Sequence, residues 1–146
     1  PVERLQERRP VGRRIQLDDV IVQRLQQWVR RQAHHHLLPY LEQVSQETEL
    51  SYTASLIKNH RTRWGSCSQL HNINLHLPLL FLPLHLVQYV LIHELCHTIH
   101  LNHSSAFWKT VEQFEPHYLA IHHELRTAWT YVPTWARPVE CRQVEK

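Results

Sequence analysis

Hydrophobic and polar positions along the chain change period several times, and each change marks an element. From Asp18 onward Ile21, Leu25, Trp28 and Val29 recur at helical spacing and form one apolar stripe. Pro39 kinks or restarts that helix, and Tyr40, Leu41 and Val44 continue the stripe. Over residues 50–57 the period falls to two: Leu50, Tyr52, Ala54 and Leu56 alternate with Ser51, Thr53 and Ser55, the pattern of a half-buried strand. Residues 62–66 read as a second strand. Ile73, Leu75 and Leu77, alternating with Asn72, Asn74 and His76, make a third, with residues 67–71 as the hairpin loop. Pro83 opens the next helix, where its missing N–H costs nothing. That helix runs to about Leu101 and is apolar over most of its surface, so it is buried. Ser104 or Ser105 can cap a further helix with Phe107, Val111 and Phe114 on one face. Pro116 interrupts it, and Tyr118, Ile121, Leu125 and Ala128 resume the period.

Composition narrows the picture. The chain has 146 residues and is 42% apolar, enough for one domain with a core. Only Gly12 and Gly65 are glycines, which excludes Gly-rich phosphate loops and dinucleotide fingerprints. Fourteen residues are histidine. Net charge is +3, and eight of the sixteen Lys/Arg lie in residues 1–31, whereas residues 64–93 hold no Asp, Glu, Lys or Arg. The basic end therefore reads as a surface arm and the middle as core. A solvated face is the plain reading of the arm; contact with nucleic acid or acidic lipid is the sharper one. Three cysteines without paired spacing argue for a reducing compartment. The charged N-terminal stretch has no apolar run of the signal-peptide kind. The run from Leu77 to Ile92, broken by Pro78, Pro83, His85 and Gln88, falls short of the roughly 20 residues of a membrane span. A cytoplasmic protein with no membrane partner is expected.

The chemistry is concentrated in His93-Glu94-Leu95-Cys96-His97, an H-E-x-x-H segment inside a predicted buried helix. Residues four apart stack on one helix face, so both imidazoles can converge on one Zn²⁺ with Glu94 beside the open coordination position. Burial argues against chance, because unpaired His and Glu are costly to desolvate. His103 and His100 compete for the third ligand place. His100 shares the face of His93 and His97 but lies about 10 Å along the axis from His93, and three ligands on one straight helix cannot close a tetrahedron. His103, beyond the helix end, can fold back, with Asn102 tolerating a left-handed turn. His103 is therefore preferred. The spacing to His103 also matches metzincins, but a chain without methionine has no Met-turn.

Arg61-Thr62-Arg63-Trp64-Gly65-Ser66-Cys67-Ser68, Asn72-Ile73-Asn74-Leu75, the H-E-x-x-H segment, Asn102-His103-Ser104 and Phe107-Trp108 follow in an order that resembles the YgjP-like metallopeptidase family, related to the SprT and Wss/WLM zinc proteases. The resemblance covers about residues 20–126. It implies an α+β fold, a minimal zincin-like domain with helices packed on a short antiparallel sheet and an active-site helix carrying H-E-x-x-H. It also implies one Zn²⁺ held by His93, His97 and His103, with Glu94 as the catalytic carboxylate. The chain then divides into a basic arm (1–18), the metallopeptidase domain (19–128) and an irregular tail (129–146). The resemblance also implies that this short chain lacks much of the strand-rich N-terminal region that many relatives carry, and at least one relative is assigned a nucleoside-triphosphate pyrophosphatase activity.

Three functions compete. A zinc metallopeptidase would cleave a peptide or protein substrate paired with the free sheet edge. A nucleotide hydrolase would use Arg61 and Arg63, two residues apart on one strand, to meet phosphate. A non-enzymatic binder, with structural zinc and the basic arm on nucleic acid, leaves Glu94 without a role. Arg63, His117 and Tyr118 are candidates for a second oxyanion donor. Trp64 and Gly65 also read as the packing and turning of a hairpin. Cys67 reads as a small hydrophobe, and Cys96 as core. His34, His35 and His36 point in different directions and do not make a site. Phe107 and Trp108 read as core and as support for the His103 loop.

Overall fold

A computed structural model describes residues 12–59 and 62–137, with side chains from Asp18 onward. Helix α1 (Gly12–Thr48) is one 37-residue element and includes residues expected to belong to a loose arm. Pro39 does not restart it. Its side chain is on the exposed face, where a missing N–H leaves the helix carbonyl before it open to solvent. The buried stripe is Val29, Ala33, Leu37, Leu41 and Val44 at spacings of three and four. Ile21, Leu25 and Trp28, expected on that stripe, are exposed, because the core begins only at Val29.

Three strands form one sheet: β1 (Ala54–Lys58), β2 (Gly65–Cys67) and β3 (Asn72–His76), in the order β1-β3-β2. β2 pairs antiparallel with β3 through the expected hairpin, but β1 pairs parallel with β3. The sheet is thus mixed rather than antiparallel throughout. His71 takes a left-handed conformation (φ 63°) in the hairpin turn, and its N–H donates to the Ser68 carbonyl.

Two registers differ from the sequence pattern. Glu49 adopts a left-handed conformation that ends α1, and the chain turns through residues 50–53 before the strand begins. Ile57 therefore faces inward and Leu56, at 56% exposure, faces out. β3 stops at His76, and Leu77–Phe81 forms a 3-10 turn instead of extending the strand. His76 is buried, not on a polar face; its Nδ1 donates to the Arg63 carbonyl, and its N–H donates to the Trp64 carbonyl at 3.1 Å.

Helix α2 (Leu84–Cys96) is buried along most of its length and packs against α1 and β2. It ends five residues before Leu101. Helix α3 (Ser105–Phe114) is capped by Ser104, whose Oγ accepts from the Phe107 N–H at 3.3 Å. Helix α4 (Tyr118–Leu125) follows after Pro116. Ala128–Tyr131 and Thr134–Ala136 are 3-10 turns; Trp129 stacks on Trp64 (centroids 4.3 Å), and Trp135 meets Phe81 edge-on. The tail is thus ordered by aromatic packing as far as Arg137. Among the described residues no helix is long and apolar enough to cross a membrane.

The β1 register predicts opposite outcomes for neighbours. Ile57→Ala should lower stability by about 2–5 kcal/mol, as buried aliphatic truncations do. Leu56→Thr should stay within about 0.5 kcal/mol. Urea denaturation reads both, and the reverse order would place the strand in the other register.

Candidate metal centre

α2 presents His93 and His97 one turn apart, and the chain then reverses over residues 97–103 to bring His103 back. No left-handed residue is needed: among the described residues only Glu49 and His71 have positive φ, so Asn102 does not turn the chain in the expected way. The Nε2 atoms of His93 and His97 are 3.2 Å apart, those of His97 and His103 3.2 Å, and those of His103 and His93 3.3 Å. Ligands bound tetrahedrally at 2.0–2.1 Å are about 3.3–3.4 Å apart, so the three nitrogens have the spacing that one zinc ion requires. Among the described residues no other group of three potential ligands comes together.

The tautomer of His97 fits the same conclusion. Its Nδ1 donates to the His100 carbonyl at 3.0 Å, so its Nε2 is left as a lone pair facing the other two rings. His100 contributes this carbonyl, and its imidazole is outside the triad. His93 is held so that its Nε2 converges, while its Nδ1 is buried without a partner among the described residues. Burial, with His97 and His103 nearby, pushes the His93 pKa down to about 3; burial also lowers that of His97. Both rings are therefore neutral at pH 7, the form that binds a metal. Phe107 stacks on His97 (4.3 Å, 17°) and Trp108 on His103 (5.7 Å, 24°), so the pair supports His103 as expected and His97 as well.

Glu94 is 6% exposed. Burial raises its pKa to about 8, with the Arg63 charge acting in the opposite direction. β2 lies directly against it. A Cβ on Gly65 would be 3.0 Å from Glu94 Cγ and 3.2 Å from the Asn74 carbonyl oxygen. Gly65 thus does not turn a hairpin; it leaves the room that the buried carboxylate occupies.

A cavity of about 410 Å³ opens over these groups. β2 forms one wall, with Arg63 and Trp64 before it; Leu101, His122 and Leu125 lie across from it. Arg63 lines the cavity, one of the two placements the sequence leaves open, while Arg61 lies outside the described residues. His117 and Tyr118 do not line it: His117 is exposed before α4, and Tyr118 stacks on Trp108. Cys67 does line it, half-buried, with burial raising its thiol pKa to about 11, so it is a neutral thiol there. Cys96 is core, and His34, His35 and His36 are exposed. The sequence reading missed His122 and Tyr89, which line the cavity side by side (Tyr89 Oη to His122 Nδ1, 2.7 Å). The only sequence signal was the α4 periodicity, which sets His122 beside Ile121 on the inward side.

Gly65→Ala is expected to destabilise the protein by about 1–3 kcal/mol, the range for overpacking. The loss should shrink in a Glu94→Ala background, where the crowded Cγ is gone. Equal losses in both backgrounds, read by thermal unfolding, would put the clash elsewhere.

The family described as YgjP-like, metallopeptidase domain, matches residues 5–128. Among solved structures the chain is similar to the crystal structure of the metallopeptidase zymogen of Pyrococcus abyssi abylysin. That similarity has a TM-score of 0.56 and 26% identity over 62% of this chain and 92% of the other. No curated protein matches. With its family match spanning most of its length, this α+β chain belongs to the YgjP-like metallopeptidases.

Proposed function

We propose that the chain is a zinc-dependent peptidase acting in a cytoplasmic compartment, with one Zn²⁺ on His93, His97 and His103 and with Glu94 as general base. The observation that carries this reading is the 3.2–3.3 Å convergence of three Nε2 atoms beside a buried carboxylate. Zinc, when bound, supplies a +2 charge that acidifies water and polarises a carbonyl. The same +2 charge would favour the ionised form of Glu94 against the effect of burial, so Glu94 accepts a proton from the water that attacks the scissile carbonyl carbon and returns it to the amine as the C–N bond breaks. Gly65 leaves the room that this carboxylate occupies. β2 is an edge strand and a cavity wall, so an extended peptide adding to its free edge would pass Glu94.

Phosphate substrates have less support. Among the described residues Arg63 is the one Lys or Arg on the cavity wall, and it would face several phosphate charges alone. Arg4, Arg8 and Arg9, which lean towards nucleic acid in the sequence, lie outside the described residues.

Two substitutions test the assignment. His103→Ala should lower zinc content sharply, whereas His100→Ala should not, since the carbonyl that orients His97 survives it. Equal loss in both would defeat the ligand set. Glu94→Gln should keep zinc while cleavage of casein-derived peptides falls by roughly 10² or more. Zinc-dependent pyrophosphate release from nucleoside triphosphates, with no peptide cleavage, would overturn the substrate class.

A further inference from the structure

The cavity holds a fourth histidine that the metal triad leaves unused. His122 comes from α4, a helix with no fully buried residue. α4 packs Tyr118, Ile121 and Leu125 partly buried against the core, and is further held by Tyr118 stacked on Trp108 (5.5 Å), by Glu124 against His85 Nε2 (3.0 Å), and by the Tyr89–His122 contact. The His122 ring lies nearly parallel to that of His93 (centroids 6.3 Å, 21°) and edge-on to Trp108. It lines the same cavity as Glu94.

Its hydrogen bond to Tyr89 favours one tautomer. Tyr89 is 1% exposed, and His122 Nδ1 is the hydrogen-bond partner of its hydroxyl among the described residues. A buried phenol O–H with no acceptor is costly, so Tyr89 donates and Nδ1 accepts. In a neutral imidazole the proton then resides on Nε2. With Nδ1 engaged by Tyr89, Nε2–H is the donor that His122 can offer to a molecule in the cavity. Nε2 has no protein partner among the described residues.

We propose that His122, held by Tyr89, is the second hydrogen-bond donor to the oxygen of the scissile carbonyl as negative charge develops on it. This rests on the peptidase reading, and it fills the place for which Arg63, His117 and Tyr118 were candidates. The donor is neutral and preset, so it needs no reorganisation when the tetrahedral species forms. His122 moves no proton; water's proton still passes through Glu94 to the amine. Tyr89 is a positioning residue that keeps the Nε2–H tautomer.

The test uses the whole chain and three variants. His122→Phe retains an aromatic ring but no donor; Tyr89→Phe retains packing but frees Nδ1; the double variant leaves no polar atom orphaned. His122→Phe should keep one zinc per chain and nearly unchanged KM for a casein-derived peptide, while kcat falls about 10²-fold or more, as for other lost oxyanion donors. Tyr89→Phe should lower kcat by about tenfold, what one hydrogen bond is worth, and the double variant should be no worse than His122→Phe. Histidine ¹⁵N shifts of chelator-treated protein read the tautomer without activity: Nε2–H in the wild type, a mixture in Tyr89→Phe. A wild-type Nδ1–H tautomer, an active His122→Phe or loss of zinc from it would overturn the donor role. Failure of the wild type itself to cleave peptides would instead overturn the peptidase reading beneath it.

Discussion

Three imidazole nitrogens 3.2–3.3 Å apart, at least one presenting a bare lone pair, are held together by protein packing, an arrangement that a bound cation would stabilise. Hydrogen bonding among themselves cannot satisfy them, because each Nε2 offers a single in-plane site. The surroundings follow from holding them there. Phe107 and Trp108 stack on the rings, the His100 carbonyl turns His97, and α3 begins at the Ser104 cap directly after His103. His93 Nδ1 is buried without a partner among the described residues, and such a group costs stability. A metal bound only by the folded protein would offset it.

The sheet serves the same site from the other side. β2 has three residues, and it reaches Glu94 because Gly65 has no side chain to keep it away. Buried His76 ties down the backbone of Arg63 and Trp64 just before it. Trp129 stacks on Trp64 from the tail side, so residues beyond the metal helix also brace the cavity wall.

The helix that carries His93 and His97 was legible in the sequence because helical spacing is local: the two candidate ligands share a face whatever the rest of the chain does. His103 followed from tetrahedral geometry rejecting His100. The α1 stripe was found only from Val29 onward, since an apolar pattern does not say where the core begins. Leu56 and Ile57 exchanged faces because the left-handed Glu49 delays the strand, and a slip of one residue inverts a period-two pattern. The parallel β1–β3 pairing, the room at Gly65 and the Tyr89–His122 contact join residues far apart in sequence. No periodicity records them.

X-ray absorption at the zinc edge of the zinc-loaded protein tests the central claim most directly. A first shell of nitrogen and oxygen alone at about 2.0–2.1 Å, with imidazole scattering from three rings, is the predicted result. A sulfur neighbour near 2.3 Å would bring Cys67 into the shell, and fewer than three imidazoles would remove His103; either contradicts the account.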